Sequence, residues 1–271
     1  MKKYLLLFLL LLLMIGTLSA CSGDDEPYFP VPTIVGDAIQ SFDVGVALWP
    51  GNELLRDQIW AGLQVLSAEG TVDMLSHRWL GDRFLDVPPN GAALLPFGEI
   101  AARTLIVGVN SEMAPFSFLD EEGDFIGLDI DLANALCHLL GWQLMVVPVL
   151  WADREFHLNS GNIDALWSAN FTESMLLRTI YTPAFWENEQ VIVTMSNSGI
   201  TRLRDLRESN IGVQEGSISE YAAYLNIERL GTIVQYDTQR RLVWAVETQR
   251  MPAMIIDYHT MRFMMRQFQL S

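Results

Sequence analysis

Two positions in the second half of the chain could bind opposite charges. Ser217 follows an apolar run at 211–214 and opens a helical pattern that continues to Leu225. The free N–H groups and the positive dipole end of such a helix start can bind an anion, although plain helix capping explains the serine equally well. Asp257 ends an apolar strand, so its carboxylate either caps the next helix or pairs with a cation. The residue types alone leave these alternatives open.

Patterns typical of catalysis or metal binding are weak. There are no paired carboxylates and no activated nucleophile, although Glu112 or Glu173 could act as a general acid if burial raised its pKa. Cys137 lies among leucines at helical spacing, which predicts a buried free thiol. The four histidines are too scattered for a metal site: His77, His138, His157 and His259. The sequence therefore predicts a protein that is not an enzyme and has no metal or cofactor.

The first 40 residues predict export and attachment to a membrane. Lys2 and Lys3 precede an apolar run of about a dozen residues, which is typical of a secretory signal and short for a spanning helix. Cys21 directly follows Leu-Ser-Ala and resembles the processing site of bacterial lipoproteins. This resemblance implies a signal peptide at 1–20, acylation of Cys21 (palmitate) and a flexible tether at 21–40. An ordinary cleaved signal, with Cys21 incidental, is the alternative.

The charge balance excludes one class of partner. The formal net charge is −16, with 17 Lys and Arg against 33 Asp and Glu. Both lysines lie in the signal, so the mature chain is expected to carry about −18, which keeps an exported protein soluble. Such an acidic chain repels nucleic acid, because proteins bind it by neutralising phosphates. The charge does not identify a ligand.

Apolar periodicity predicts alternating strands and helices. A strand at 42–49 and helices at 53–67 and 71–79 come first. Residues 86–98 are rich in proline and glycine and predict a linker. From residue 103 onward strands alternate with helices, which predicts an α/β architecture with parallel sheets covered on both faces.

Several short motifs after residue 103 resemble the bacterial extracellular solute-binding proteins of family 3, which bind polar amino acids. Each motif is weak by itself, but their number and order make the resemblance specific. The matching segments are 114–116 with 127–131, 161–165, 181–193, 203–206, 211–217 and 255–257. Residues 42–81 resemble the closing segment of this family, yet they precede its opening segment at 105–116. The resemblance therefore implies a circularly permuted chain.

The resemblance implies a two-lobed type II periplasmic-binding-protein fold with a ligand cleft between the lobes. In the permuted order, residues 41–85 supply the closing elements of lobe one and 86–102 form the permutation linker. Residues 103–187 form the rest of lobe one, and 188–271 form lobe two. The lobes would close over a small polar solute, most simply an amino acid or a derivative. The resemblance further implies a monomer that delivers this solute to an ABC permease driven by a cytoplasmic ATPase.

The resemblance also assigns ligand-contacting positions. Ser217 and Ile218, at a helix start, would bind the carboxylate of an amino acid, and Asp257 would bind its ammonium. Phe116 and Trp151 would flank the ligand side chain. The remaining expected contacts are Asn110, Glu112, Ser168, Ala169, Asn170 and Arg178.

One departure from the family concerns its carboxylate-binding arginine. The family pattern Thr-x-x-Arg is replaced here by Thr172–Met175, with methionine at the arginine position. Arg178, one helical turn further on, is the expected substitute for this bidentate contact. The change leaves three alternatives open: a degenerate binding protein, a sensory binding protein, and a cleft enzyme of the dehydratase or lyase type.

Overall fold

The elements described below belong to a computed structural model that describes residues 30–82, 84–226, 228 and 230–270, with side chains up to residue 266. The predictions for the signal peptide, for Cys21 and for the tether up to residue 29 lie outside these residues. The described strands are β1 (Pro32–Ile34), β2 (Gln40–Leu48), β3 (Thr104–Val109), β4 (Glu112–Met113), β5 (Ser117–Leu119), β6 (Phe125–Ile126), β7 (Gln143–Pro148), β8 (Ala165–Asn170), β9 (Ile180–Tyr181), β10 (Trp186–Met195), β11 (Ile211–Gln214), β12 (Ile233–Tyr236) and β13 (Ala253–Asp257). The described α-helices are α1 (Glu53–Ala68), α2 (Thr71–Leu80), α3 (Leu128–Leu140), α4 (Arg154–Asn159), α5 (Glu173–Leu176), α6 (Ile218–Leu225), α7 (Gln239–Glu247) and α8 (Tyr258–Leu270). Short 3-10 helices occupy Leu95–Phe97, Trp151–Asp153 and Leu203–Leu206.

A mixed ten-stranded sheet runs through the described part of the chain. Its main path has the order β12-β11-β13-β10-β2-β8-β3-β7, while β1 pairs with β10 and β9 pairs with β2. Neighbouring strands are parallel towards both ends of this path, whereas β2 and β10 pair with their neighbours in antiparallel fashion. The prediction of parallel sheets is therefore wrong in the middle, where β10 runs antiparallel to β13 and β2, and β2 runs antiparallel to β8. We call the half with β3, β7 and β8 lobe one. The half with β10, β11, β12 and β13 is lobe two, which includes α6 and α7, the helices that pack on β11 and β13.

The core of lobe one forms where α1, α2 and α3 pack against one another beside the sheet. Leu55, Ile59, Leu63 and Leu66 recur at helical spacing on α1 and are buried. Each such side chain contributes about 1.5–3 kcal/mol when it is buried. This apolar face therefore holds α1 firmly in lobe one.

Strand β2 lies in the middle of the sheet, between strands that belong to different halves. Its Val44 pairs with Trp186 of β10 on one side and with Asn170 of β8 on the other. Val46 and Leu48 of the same strand are fully buried. The early segment of the chain thus supplies a central strand and, through α1 and α2, two helices of the lobe-one core.

The predicted linker at 86–102 is described throughout and contains no strand and no α-helix. It runs along lobe one, since the N–H of Asp86 donates to the carbonyl of Phe185 at 2.7 Å. The predicted tether at 21–40 extends too far. Residues Pro32–Ile34 form β1 and pair with Met195, Thr194 and Val193 of β10, because this short stretch satisfies the open edge of that strand.

Candidate functional site

Two adjoining cavities lie between the lobes, where β8, the turn at residues 151–154 and the start of α6 meet. The outer cavity has a volume of about 270 Å³ and the inner cavity about 20 Å³. Four residues line both cavities and make them one continuous cleft: Trp151, Asn170, Ser217 and Ile218. The outer cavity is also lined by Arg154, Ala169, Thr172, Ser174, Met175, Gly216, Glu220, Tyr221 and Tyr224. The inner cavity is also lined by Asn110, Met113, Gln214, Ser219, Gln239 and Asp257.

The start of α6 presents backbone donors to this cleft. Ser217 caps the helix, because its Oγ accepts from the N–H of Glu220 at 3.2 Å and donates to the carbonyl of Gln214 at 2.7 Å. No described group accepts from the N–H groups of Ile218 or Ser219, which line the inner cavity. Capping and anion binding are therefore compatible here, since the serine side chain orders the turn and leaves two backbone donors available.

Asp257 contributes a buried carboxylate to the lining of the same inner cavity. The Nε2 of Gln190 donates to its Oδ1 at 2.8 Å, and the Nδ2 of Asn188 donates to the same oxygen. Burial raises the pKa of Asp257, while the hydrogen bonds from the two amides lower it. Because both amides bond to Oδ1, Oδ2 is the oxygen available to a cation.

The two amides extend into a network that connects both lobes. The Nδ2 of Asn188 also donates to Oδ1 of Asn170 on β8 at 3.0 Å. The Oγ of Ser219 on α6 donates to Oε1 of Gln190 at 2.6 Å. Sequence reasoning missed Asn188 and Gln190, although their spacing carried a signal. Asn188 and Gln190 alternate with two glutamates and share one face of β10 with Trp186, and a buried polar pair on one face needs partners.

Direct contacts join the two lobes at two places. The Nη1 of Arg154 donates to the carbonyl of Trp151 at 2.5 Å and to the carbonyl of Gly216, across the cleft, at 2.7 Å. Glu112 forms an ion pair with Arg240 of α7 at 2.9 Å. Glu112 was predicted to line the cleft. Because its carboxylate pairs with Arg240, it lines a separate cavity of about 470 Å³ instead.

Two further predicted ligand contacts lie outside both cleft cavities. Phe116 is fully buried in the core of lobe one and stacks on Trp186, with the ring centroids 4.7 Å apart. Arg178 is exposed and forms an ion pair with Glu155 at 3.6 Å. The prediction that Arg178 shares a helical face with Met175 is wrong, because α5 ends at Leu176.

Ser168 was also predicted at the ligand, but its side chain points to α3. Its Oγ donates to Oδ1 of Asp129 at 2.7 Å, and both residues are buried. Ser168 has a φ of 48°, a conformation that is uncommon for a residue other than glycine. Burial raises the pKa of Asp129 to about 7, against the opposing effect of the Ser168 hydrogen bond.

Asp129 should make the protein less stable as the pH rises from about 4 to 7. In the unfolded chain an aspartate ionises near pH 3.9, so across this interval the folded state keeps a proton that the unfolded state has released. The resulting loss of unfolding free energy approaches about 4 kcal/mol and levels off above pH 7. We expect Asp129→Asn to lose this contribution, so that its free energy of unfolding, measured with urea at several pH values, falls less steeply with pH than that of the wild type. Asp124→Asn, at an exposed position, should keep the slope; equal slopes in the two variants would contradict the assignment.

Other kinds of site are not found in the described part of the chain. No group of three or more His, Cys, Asp or Glu side chains there is placed to hold a metal ion. None of its helices combines the length and hydrophobicity needed to cross a membrane. Cys137 is a buried free thiol, as predicted.

A two-lobed α/β protein with a polar cleft between its lobes is the architecture of the type II periplasmic-binding proteins, so the predicted fold class is confirmed. The chain belongs to the bacterial extracellular solute-binding proteins, family 3, whose family model matches residues 105–257. This match begins after the linker and does not include β2, α1 or α2.

Individual relatives have names that refer to basic amino acids. The arginine-binding extracellular protein ArtP of Bacillus subtilis (strain 168) is 28% identical over 166 residues, covering 59% of this chain and 63% of ArtP. An ancestral arginine-binding protein bound to arginine is 29% identical, with a TM-score of 0.56 over 60% of this chain and 74% of that chain. An ABC uptake transporter substrate-binding protein from Streptococcus pneumoniae with bound histidine is 26% identical, with a TM-score of 0.58 over 61% and 70%. The chain spans between about half and two thirds of the length of the curated relatives it matches.

Proposed function

We propose that this protein captures a small polar solute, most simply an amino acid, by closing its lobes around it. One observation carries the proposal: the start of α6 and the carboxylate of Asp257 line the same inner cavity. The N–H groups of Ile218 and Ser219 suit a carboxylate, and Asp257 suits an ammonium. An α-amino acid carries these two charges on either side of one carbon, so a single small molecule satisfies both walls.

The outer cavity is suited to the rest of the ligand. Trp151 forms part of its wall, and Tyr221 and Tyr224 of α6 line it as well. Aromatic faces pack well against apolar, planar or cationic groups. Arginine and histidine, which relatives bind, are therefore the first probes to use.

Lobe closure is supported by the contacts that join the two halves. Arg154 reaches the carbonyl of Gly216 across the cleft. A Cβ at Gly216 would lie 2.8 Å from the Cα of Ala152, and the residue has a φ of +68°. Only glycine therefore allows the two backbones to approach this closely. We place the ligand where these surfaces meet, and its arrival would stabilise the closed arrangement.

We also infer that the chain is a circular permutant of the family order. Strand β2 lies between β8 and β10, and α1 and α2 complete the lobe-one core, yet the family match starts only at residue 105. Residues 41–85 would then be the closing elements of lobe one. Residues 86–102 would be the join, and 103–187 and 188–271 would be the rest of lobe one and lobe two.

The cellular role follows from the family and from the first 21 residues. We propose that the protein is extracytoplasmic, anchored to the membrane through a lipidated Cys21, and acts as a monomer. It would deliver its ligand to an ABC permease driven by a cytoplasmic ATPase. Mass spectrometry of protein extracted from membranes tests the anchor, and a mature chain without an acylated Cys21 would argue against it.

Binding itself is tested with protein freed of ligand by unfolding and refolding. We expect L-arginine, L-histidine or L-glutamine to give a saturable heat of binding and to raise the melting temperature. A ligand present at 100 times its Kd adds about 2.7 kcal/mol to the free energy of unfolding. If folded protein shows neither effect with any of the twenty amino acids, capture of an amino acid is excluded. The alternative of a degenerate binding protein then gains support.

A further inference from the structure

Arg154 is a partly buried cation that lacks a carboxylate partner. Its Nη1 is satisfied by two carbonyls, those of Trp151 and Gly216, and its guanidinium lies 5.1 Å from the centroid of the Trp151 ring. No Asp or Glu among the described residues forms an ion pair with it within 4 Å. Burial lowers the pKa of Arg154, while the charges of Glu155, Tyr181 and Glu220 raise it. A charge withdrawn from water without a counter-ion is costly, so this position calls for an anion.

The position of Arg154 indicates which anion is missing. Among the described residues that line the outer cavity, Arg154 carries the only positive charge. Met175, which stands where the family pattern has its carboxylate-binding arginine, lines the same cavity and is buried. Gly216, whose carbonyl Arg154 binds, directly precedes the start of α6. An anion at that helix start would therefore lie beside the guanidinium.

We propose that Arg154 binds the carboxylate of the ligand in place of the arginine absent at Met175. This inference rests on the proposed function. The carbonyls of Trp151 and Gly216 hold Nη1, so Nη2 and Nε are left to donate to the anion. Because Trp151 lies beside Arg154 and Gly216 lies across the cleft, Nη1 can bond to both carbonyls only when the lobes are closed. The side chain of Arg154 would thus both bind the ligand carboxylate and join the two closed lobes.

The test must separate carboxylate binding from a purely structural link between the lobes. Arg154→Met removes the charge and keeps much of the length, and Arg178→Met is the matched control at an exposed arginine nearby. The probes are L-arginine, L-histidine and L-glutamine, each compared with its C-terminal amide by calorimetry. The amides keep the ammonium and the side chain but lack the carboxylate.

We expect Arg154→Met to weaken binding of the free amino acid by roughly 30-fold or more, and to change binding of the amide by less than about threefold. Arg178→Met should leave both unchanged. Arg154→Lys should recover only part of the loss, because an ammonium keeps the charge but not the planar fork. Equal weakening of acid and amide would show that Arg154 only links the lobes, and unchanged binding in Arg154→Met would overturn the proposal outright.

A second measurement keeps the inference separate from the proposed function. If the wild-type protein binds none of the amino acids, the proposed function fails. The carboxylate site is then tested by measuring the melting temperature in sodium acetate and in sodium chloride at equal ionic strength. A rise in melting temperature that is specific to acetate and lost in Arg154→Met would still support the site. No difference between the two salts would overturn it.

Discussion

Asp257→Asn should weaken amino-acid capture by at least roughly 30-fold while the protein remains folded. The ammonium of the ligand would lose its buried counter-charge, and truncation of one partner of such a pair costs about 2–5 kcal/mol, or roughly 30- to several thousand-fold in Kd. The fold should survive, because an asparagine Oδ1 can still accept from Asn188 and Gln190. Calorimetric titration gives the affinity, and the melting temperature of the ligand-free protein reports the fold.

The control for this variant is Asp237→Asn on the surface, where the carboxylate pairs with Arg241 of the next turn. It should bind ligand as the wild type does. Burial raises the pKa of Asp257, so the affinity of the wild-type protein for an amino acid should also fall as the pH drops through that raised pKa. The protonated carboxyl of Asp257 is neutral and attracts the ligand ammonium poorly. Retained affinity in Asp257→Asn would place the ammonium elsewhere and remove the main support for the proposed binding mode.

Deletion of residues 31–85 should prevent folding altogether, whereas moving them to the end of the chain should not. This segment contributes eleven buried residues to the lobe-one core. At about 1.5–3 kcal/mol each, their loss exceeds the 5–15 kcal/mol that typically separates folded from unfolded states. The reordered chain would begin at residue 103, run to 271 and continue through a flexible Gly/Ser linker into 31–85. It should melt cooperatively within several degrees of the natural chain and bind the same ligand.

The matched control carries the same Gly/Ser insertion within residues 90–92 of the natural order, where the chain already turns. Circular dichroism during heating compares all three proteins. If the control folds and the reordered chain does not, the position of the segment in the chain matters for folding, and the inferred permutation loses its support. A cooperative transition in the deletion variant would contradict the central role of β2.

The cleft was only partly predictable. Seven residues that were predicted to contact ligand line it, and their contact with a ligand stays a prediction: Asn110, Trp151, Ala169, Asn170, Ser217, Ile218 and Asp257. Phe116 and Ser168 were expected there as well, but packing decides where such side chains point. A ring gains more by stacking on Trp186 in a core than by facing a wet cleft, and a serine beside a buried acid donates to it.

Arg154 shows the limit of sequence reasoning most clearly. In the sequence it is an arginine in a short polar stretch, which normally indicates a solvated helix surface. It becomes a partly buried cation only because Gly216, 62 residues further on, packs against it. No local pattern encodes that approach, since it depends on how two lobes meet.

By itself the sequence determined the class of protein and the alternation of strands and helices. These features follow from local properties, namely the apolar periodicity, the turn residues and the short motifs, which can be read without the rest of the chain. Only the tertiary structure decided which cation faces the cleft, which amides hold Asp257, and that residues 32–34 join the sheet. Such contacts join residues far apart in the chain, so their energies depend on the packing of both lobes and cannot be read from neighbouring residues.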